Sequence, residues 1–149
     1  MNKSIVVVAI AALAMGAGVA ACGDDDGPDV TAKMTEFTIT PDPDSVGAGA
    51  ITIKADNAGG ETHELVLVKA DSASDLPTDK DGAVDEEAFE SAGIEAIGEV
   101  EDVAKGTSKD LTADLEAGNY VVFCNIVDHE DGEVVSHYEK GMVANLTVE

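Results

Sequence analysis

Arginine and tryptophan are absent from this 149-residue chain, so its cationic side chains are eight lysines, set against 31 aspartates and glutamates for a formal net charge of −23. A surface of that sign repels nucleic acid and anionic lipid headgroups, and it favours solubility and cationic or basic partners. Nucleic acid is therefore excluded as a partner. Cysteine is almost as scarce, with only Cys22 and Cys124, and histidine is limited to His63, His129 and His137. There is no internal repeat, no serine, histidine and acid arrangement, and no additional histidine set for a second metal. An enzyme is not expected, because carboxylates that are abundant in an acidic coat do not make a catalytic pair.

Long apolar runs are missing too. The nearest approach, in "MNKSIVVVAIAALAMGAGVAAC", has one lysine, an apolar stretch from Ile5 to about Met15, and then small residues up to Cys22. It is too short, and too interrupted by Gly16 and Gly18, for a membrane-spanning helix of roughly 20 apolar residues. Residues 1–21 read as a signal peptide. "VAAC" resembles the lipobox of bacterial lipoproteins, which implies acylation of Cys22 and an extracytoplasmic protein held at the cell membrane by lipid. Residues 22–30, with "GDDDGPDV", then form a flexible acidic tether, and a single domain of residues 31–149 follows. With Cys22 acylated, Cys124 has no intrachain partner. A lone cysteine outside the cytoplasm is buried and inert, paired between chains, or held by a metal.

What is present is a series of β-branched and alternating segments: "TAKMTEFTIT", "GAITIKAD", "HELVLVK", "TSKDLTADL", "NYVVFCNIV" and "MVANLTV". Turn signals such as "PDPDS", "DNAGG" and "EAGN" separate them. The pattern predicts an all-β Greek-key sandwich of about seven strands. One region interrupts it, Ala70 to Val103, read as a long, solvated acidic crossover with room for a short helix from about Asp85 to Ala92, ended by Gly93.

The closing segment "CNIVDHEDGEVVSHYEKGM" puts a cysteine, two histidines and a methionine in order, and His63 stands upstream. A thiolate, two imidazoles and a weak thioether are the set that accommodates both Cu(I) and Cu(II) with little rearrangement. "DNAGGETHELVLVK" and "GNYVVFCN … HYEKGMVANLTV" together resemble the cupredoxin family of plastocyanins, azurins and lipid-anchored halocyanin-like proteins. The resemblance implies one mononuclear copper ion bound by His63, Cys124 and His137, with Met142 as axial ligand. It also implies one-electron transfer with an unidentified redox or copper-exchange protein at the outer face of a membrane. The alternatives are copper capture or delivery without redox turnover, and a metal-free interaction module.

Two departures from the family pattern stand out. Glu64 follows the first histidine where plastocyanins and azurins usually have asparagine, and residues 125–136 separate Cys124 from His137 where the family leaves only a few. His129 has the short spacing and is the second candidate for that ligand position. The intact "HYEKGM" context favours His137, since an eight-residue insertion costs only about 1 kcal/mol in loop closure.

Overall fold

Alternation in the sequence becomes two-faced packing in the structure. A computed structural model describes residues 27–149; the expected signal peptide, Cys22 with its expected acylation, and the start of the expected tether lie outside the described residues. Strands β1 (Val30–Thr35), β2 (Thr38–Asp42), β4 (Gly49–Asn57) and β7 (Ser108–Leu115) form a four-stranded sheet in the order β2-β1-β4-β7. A five-stranded sheet has the order β3-β11-β8-β5-β6. It contains β3 (Ser45–Val46), β5 (His63–Lys69), β6 (Glu95–Val103), β8 (Gly118–Phe123) and β11 (Val143–Val148). In β4 every second residue from Ile51 to Asn57 is buried. These side chains meet Leu65, Leu67, Tyr120, Val122 and Leu146 from the facing sheet in one core. The expected all-β sandwich is what the chain forms.

Three elements differ from the sequence reading. "TAKMTEFTIT" is two strands, β1 and β2, paired antiparallel with Thr35 opposite Thr38 and Glu36 and Phe37 in the turn. Asp29 and Val30, assigned above to the tether, belong to the fold. The Asp29 amide donates to the Thr52 carbonyl at 2.9 Å, and Val30 opens β1 with its side chain buried. The crossover is also shorter than expected, because "EAIGEVEDV" pairs with β5 as the edge strand β6. An edge strand needs only one hydrogen-bonded neighbour and is often protected by charge, so its glutamates disguise it.

The remaining crossover is not merely solvated. Its helical piece comprises a 3₁₀ turn, Glu86–Ala88, and α1 (Phe89–Ala92), ended by Gly93 in the left-handed conformation at φ 71°. Leu76, Val84 and Phe89 from this region cover Val66, Val68, Val121 and Phe123 on the outer face of the five-stranded sheet, forming a second apolar cluster. Strands β5 and β8 are thereby buried on both faces, which is why "LVLV" and "YVVFC" read as continuous apolar runs. Phe89→Ala removes the largest crossover side chain in that cluster. It is expected to destabilise the protein by about 3 kcal/mol, toward the low end for a large-to-small core change because the site lies near the surface. Urea unfolding checks this; a loss below about 1 kcal/mol would mean that the crossover rests on the sheet without supporting it.

Candidate metal centre

Strand β8 runs antiparallel to both its neighbours, with Phe123 opposite Val66 of β5 and Val143 of β11. Cys124 follows directly and points into the inner core. His63 is the first residue of β5, and the loop before it is tied down by Asn57. The buried Asn57 amide donates to the Glu61 and Val103 carbonyls at 2.7 Å each, and its Oδ1 accepts from the Gly59 amide at 2.9 Å. His137 opens α2 (His137–Lys140), a single turn capped by Ser136, whose Oγ accepts from the Glu139 amide at 3.1 Å. Gly141 ends the turn at φ 117°, a conformation that favours glycine. The chain then reverses so that the Met142 carbonyl accepts from the Cys124 amide at 3.0 Å.

The result is convergence of residues far apart in sequence. His63 Nδ1 lies 3.2 Å from His137 Nδ1, which lies 3.4 Å from Cys124 Sγ. One ligand atom from each of the three falls within 4.8 Å of the others, and all three residues are buried. Met142 is also fully buried and packs in the same core cluster as Cys124. His129 is not in this group. It lies exposed on β9 (Val127–Glu130), opposite Val134 of β10 (Glu133–Ser136). The insertion between Cys124 and His137 is this β9–β10 hairpin, turned by Asp131 and Gly132 at φ 50° and 88°. A two-residue Asp-Gly loop with both φ angles positive matches the right-handed twist of a hairpin. The sequence reading saw only a loop tip here.

The outer edges of both imidazoles meet carboxylates. His63 Nε2 lies 3.1 Å from Glu36 Oε1, and His137 Nε2 lies 3.0 Å from Asp128 Oδ2 and 3.8 Å from Glu61 Oε2. Ionised carboxylates only accept, so each Nε2 carries a hydrogen, and in the neutral imidazole each Nδ1 then presents a lone pair inward. Burial holds the His63 pKa below its ordinary value despite the Glu36 hydrogen bond. Glu36 Oε1 also accepts from the Gly60 and Glu61 amides at 2.8 and 2.9 Å, and the Glu61 amide is foremost in lowering the Glu36 carboxyl to about 2. Two inward lone pairs and a thiol share a single hydrogen, the one on sulfur. A cation in place of that proton would satisfy all three atoms, so the donor set fits a metal ion that accepts nitrogen and thiolate ligands.

Glu64 replaces the expected asparagine with a carboxylate that bridges strands. Its amide donates to Cys124 Sγ at 3.5 Å, while its Oε1 accepts from the Asn125 amide at 2.9 Å. Asn125 in turn donates to the Val84 carbonyl at 3.0 Å and accepts from the Val84 amide at 2.6 Å, tying the crossover to the segment after Cys124. Sequence reasoning missed Glu36, Asn57, Asn125 and Asp128. Only "DNAGG" carried a signal, as a turn; Glu36 and Asp128 are acidic residues among many, and Asn125 is a single polar residue inside the apolar run "VVFCNIV".

No family model and no curated protein matches this chain. Among solved structures, auracyanin from Roseiflexus castenholzii superposes with a TM-score of 0.50 at 18% identity, covering 83% of this chain and 99% of that one. Auracyanin A from Chloroflexus aurantiacus, described as a "blue" copper protein, gives a TM-score of 0.49 at 20% identity, covering 80% and 98%. The fold is that of a cupredoxin. In this domain the buried trio stands where β5, β8 and α2 meet, at one end of the sandwich.

Burial raises the Cys124 thiol to about 11 from an ordinary 9.0. Such a thiol holds about a hundredfold less thiolate at pH 8 than an ordinary one. In metal-free protein carrying Cys22→Ser, Cys124 should therefore react with an aromatic disulfide at least a hundredfold more slowly when folded than in urea. Equal rates would mean that the thiol is open to solvent.

Proposed function

We propose that this chain is a mononuclear copper protein that carries single electrons, with His63, Cys124 and His137 as ligands and Met142 as the weak axial group. The convergence of two inward Nδ1 atoms and one sulfur in a buried site is the observation that carries this reading. A bound copper ion supplies the one-electron couple between Cu(II) and Cu(I). The residues supply the rest: β5 and β8 hold His63 and Cys124 on a rigid sheet, and the Ser136-capped turn fixes His137. Burial of all three excludes water and any substrate from the ligands, which favours electron transfer over bond-making chemistry at the metal. The superposition on auracyanin supports the fold that this reading requires.

Adding one equivalent of Cu(II) should produce an intense visible band from thiolate-to-copper charge transfer, absent in Cys124→Ser. His137→Ala should abolish or recast the band, and His129→Ala should leave it nearly unchanged. Met142→Leu should keep the colour while altering the potential, since three strong ligands remain. Stoichiometric binding with no such band would overturn the electron-carrier reading, and rapid copper loss to a chelator would mark capture or delivery instead.

The location we propose is the outer face of the cell membrane, with Cys22 acylated and a cationic redox or copper-exchange protein as partner. The support is the "VAAC" boundary and the formal charge of −23. Expressed with its own signal in a bacterial host, the protein should partition into detergent with fatty acid on Cys22, and Cys22→Ala should release or stall it. A wild-type product that is soluble and unmodified would overturn the anchor.

A further inference from the structure

The eight residues that lengthen the segment between Cys124 and His137 have a structural product, the β9–β10 hairpin. It brings Asp128 to His137, with Oδ2 3.0 Å from Nε2. Pairing of Asp128 with Val135 across the hairpin holds it there. At the other imidazole, Glu36 Oε1 meets His63 Nε2 at 3.1 Å and is itself fixed by the Gly60 and Glu61 amides. Both imidazoles are therefore backed by an anion through the nitrogen that does not face the trio. Both rings are fully buried, so water does not intervene at the imidazole. Among the described residues, the lysine ion pairs join Lys69 to Glu116 and Lys80 to Asp81, and neither Glu36 nor Asp128 is neutralised in this way.

We propose that Glu36 and Asp128 are a matched pair of positioning residues that set the redox preference of the centre, biasing it toward Cu(II); this rests on the copper reading above. A carboxylate accepting the Nε2 hydrogen raises the basicity of the ring and strengthens donation from Nδ1. It also places negative charge beside the ion, which favours the more highly charged state; the imidazoles are buried while both carboxylates are partly exposed, so water screens part of this charge. The insertion is thus a device for delivering a charge to the second histidine, and the first histidine draws its charge from the β1–β2 turn. The two sources are independent in sequence. They act on the same couple.

Asp128→Asn and Glu36→Gln keep side-chain size and an acceptor oxygen while removing the charge. Spectroelectrochemical titration of the copper-loaded full chain in detergent at pH 7 gives the relative affinity for Cu(I) and Cu(II). Each variant should retain the charge-transfer band and shift that ratio toward Cu(I) by about tenfold, the scale typical for loss of an outer-shell partner. The double variant should shift it further, and Asp128→Glu should restore part of the wild-type ratio. Asp131→Asn removes the same charge from the exposed hairpin turn and should move the ratio less than twofold. An unmoved ratio in both Asp128→Asn and Glu36→Gln would overturn the proposal, as would an equal shift in Asp131→Asn, which would reduce the effect to the general field of an acidic protein. A variant that loses the band altogether shows a purely structural role and counts against it. Should the wild-type chain give no band with Cu(II), the copper reading falls and takes this inference with it; a wild-type band with unmoved potentials overturns this inference alone.

Discussion

The register of β8 between β5 and β11 is the constraint from which the site follows. Phe123 faces the outer cluster and Cys124 the inner core, one residue apart. A slip by a single residue would exchange them, putting the sulfur under the crossover and the ring among the ligands. The register is held from both sides, by the pairing of Phe123 with Val66 and with Val143. The buried Tyr120, whose hydroxyl donates to the Glu116 carbonyl at 2.9 Å, fixes the start of the same strand.

Around that fixed strand the site is assembled from short, locally determined pieces. The Asn57 turn sets His63, the Ser136 cap sets His137, and the reversal at Gly141 returns the backbone of Met142 to Cys124. Each piece uses hydrogen bonds that the backbone would otherwise leave unmade. Glu64 and Asn125 then connect the pieces to one another and to the crossover. The polar residues of the site thus sit in a network in which each side chain answers a nearby backbone or side-chain group.

The sandwich was legible in the sequence because alternation and β-branched runs report burial directly, and β4, β5, β8 and β11 all carry that signal. The acidic edge strand β6 was not, because its glutamates face solvent and resemble the loop beside it. The turn within "TAKMTEFTIT" was hidden for a different reason: Glu36 and Phe37 are not turn-forming types, and tertiary pairing overrides local preference there. For the site, residue chemistry and order singled out His63, Cys124, His137 and Met142. The carboxylates behind the imidazoles were invisible, since 31 acidic residues offer no way to single out the two at the histidines. The hairpin was readable in principle from "DG", but the polar residues flanking it on one side obscured the strands.

The five-stranded sheet that carries His63 and Cys124 ends in two unlike margins. One is β3, only two residues long. The other is β6, whose sequence EAIGEVEDV contains four acidic residues in nine. An unpaired strand is a template on which a second chain can add by backbone hydrogen bonding, and such addition would distort the sheet that holds the ligands. A two-residue strand is too short a template, and a line of carboxylates repels an identical line brought against it. The acidity that marks this protein throughout therefore has a local use at β6. It disfavours edge-to-edge joining of neighbouring copies, so crowding leaves each candidate metal centre in a sheet of its own.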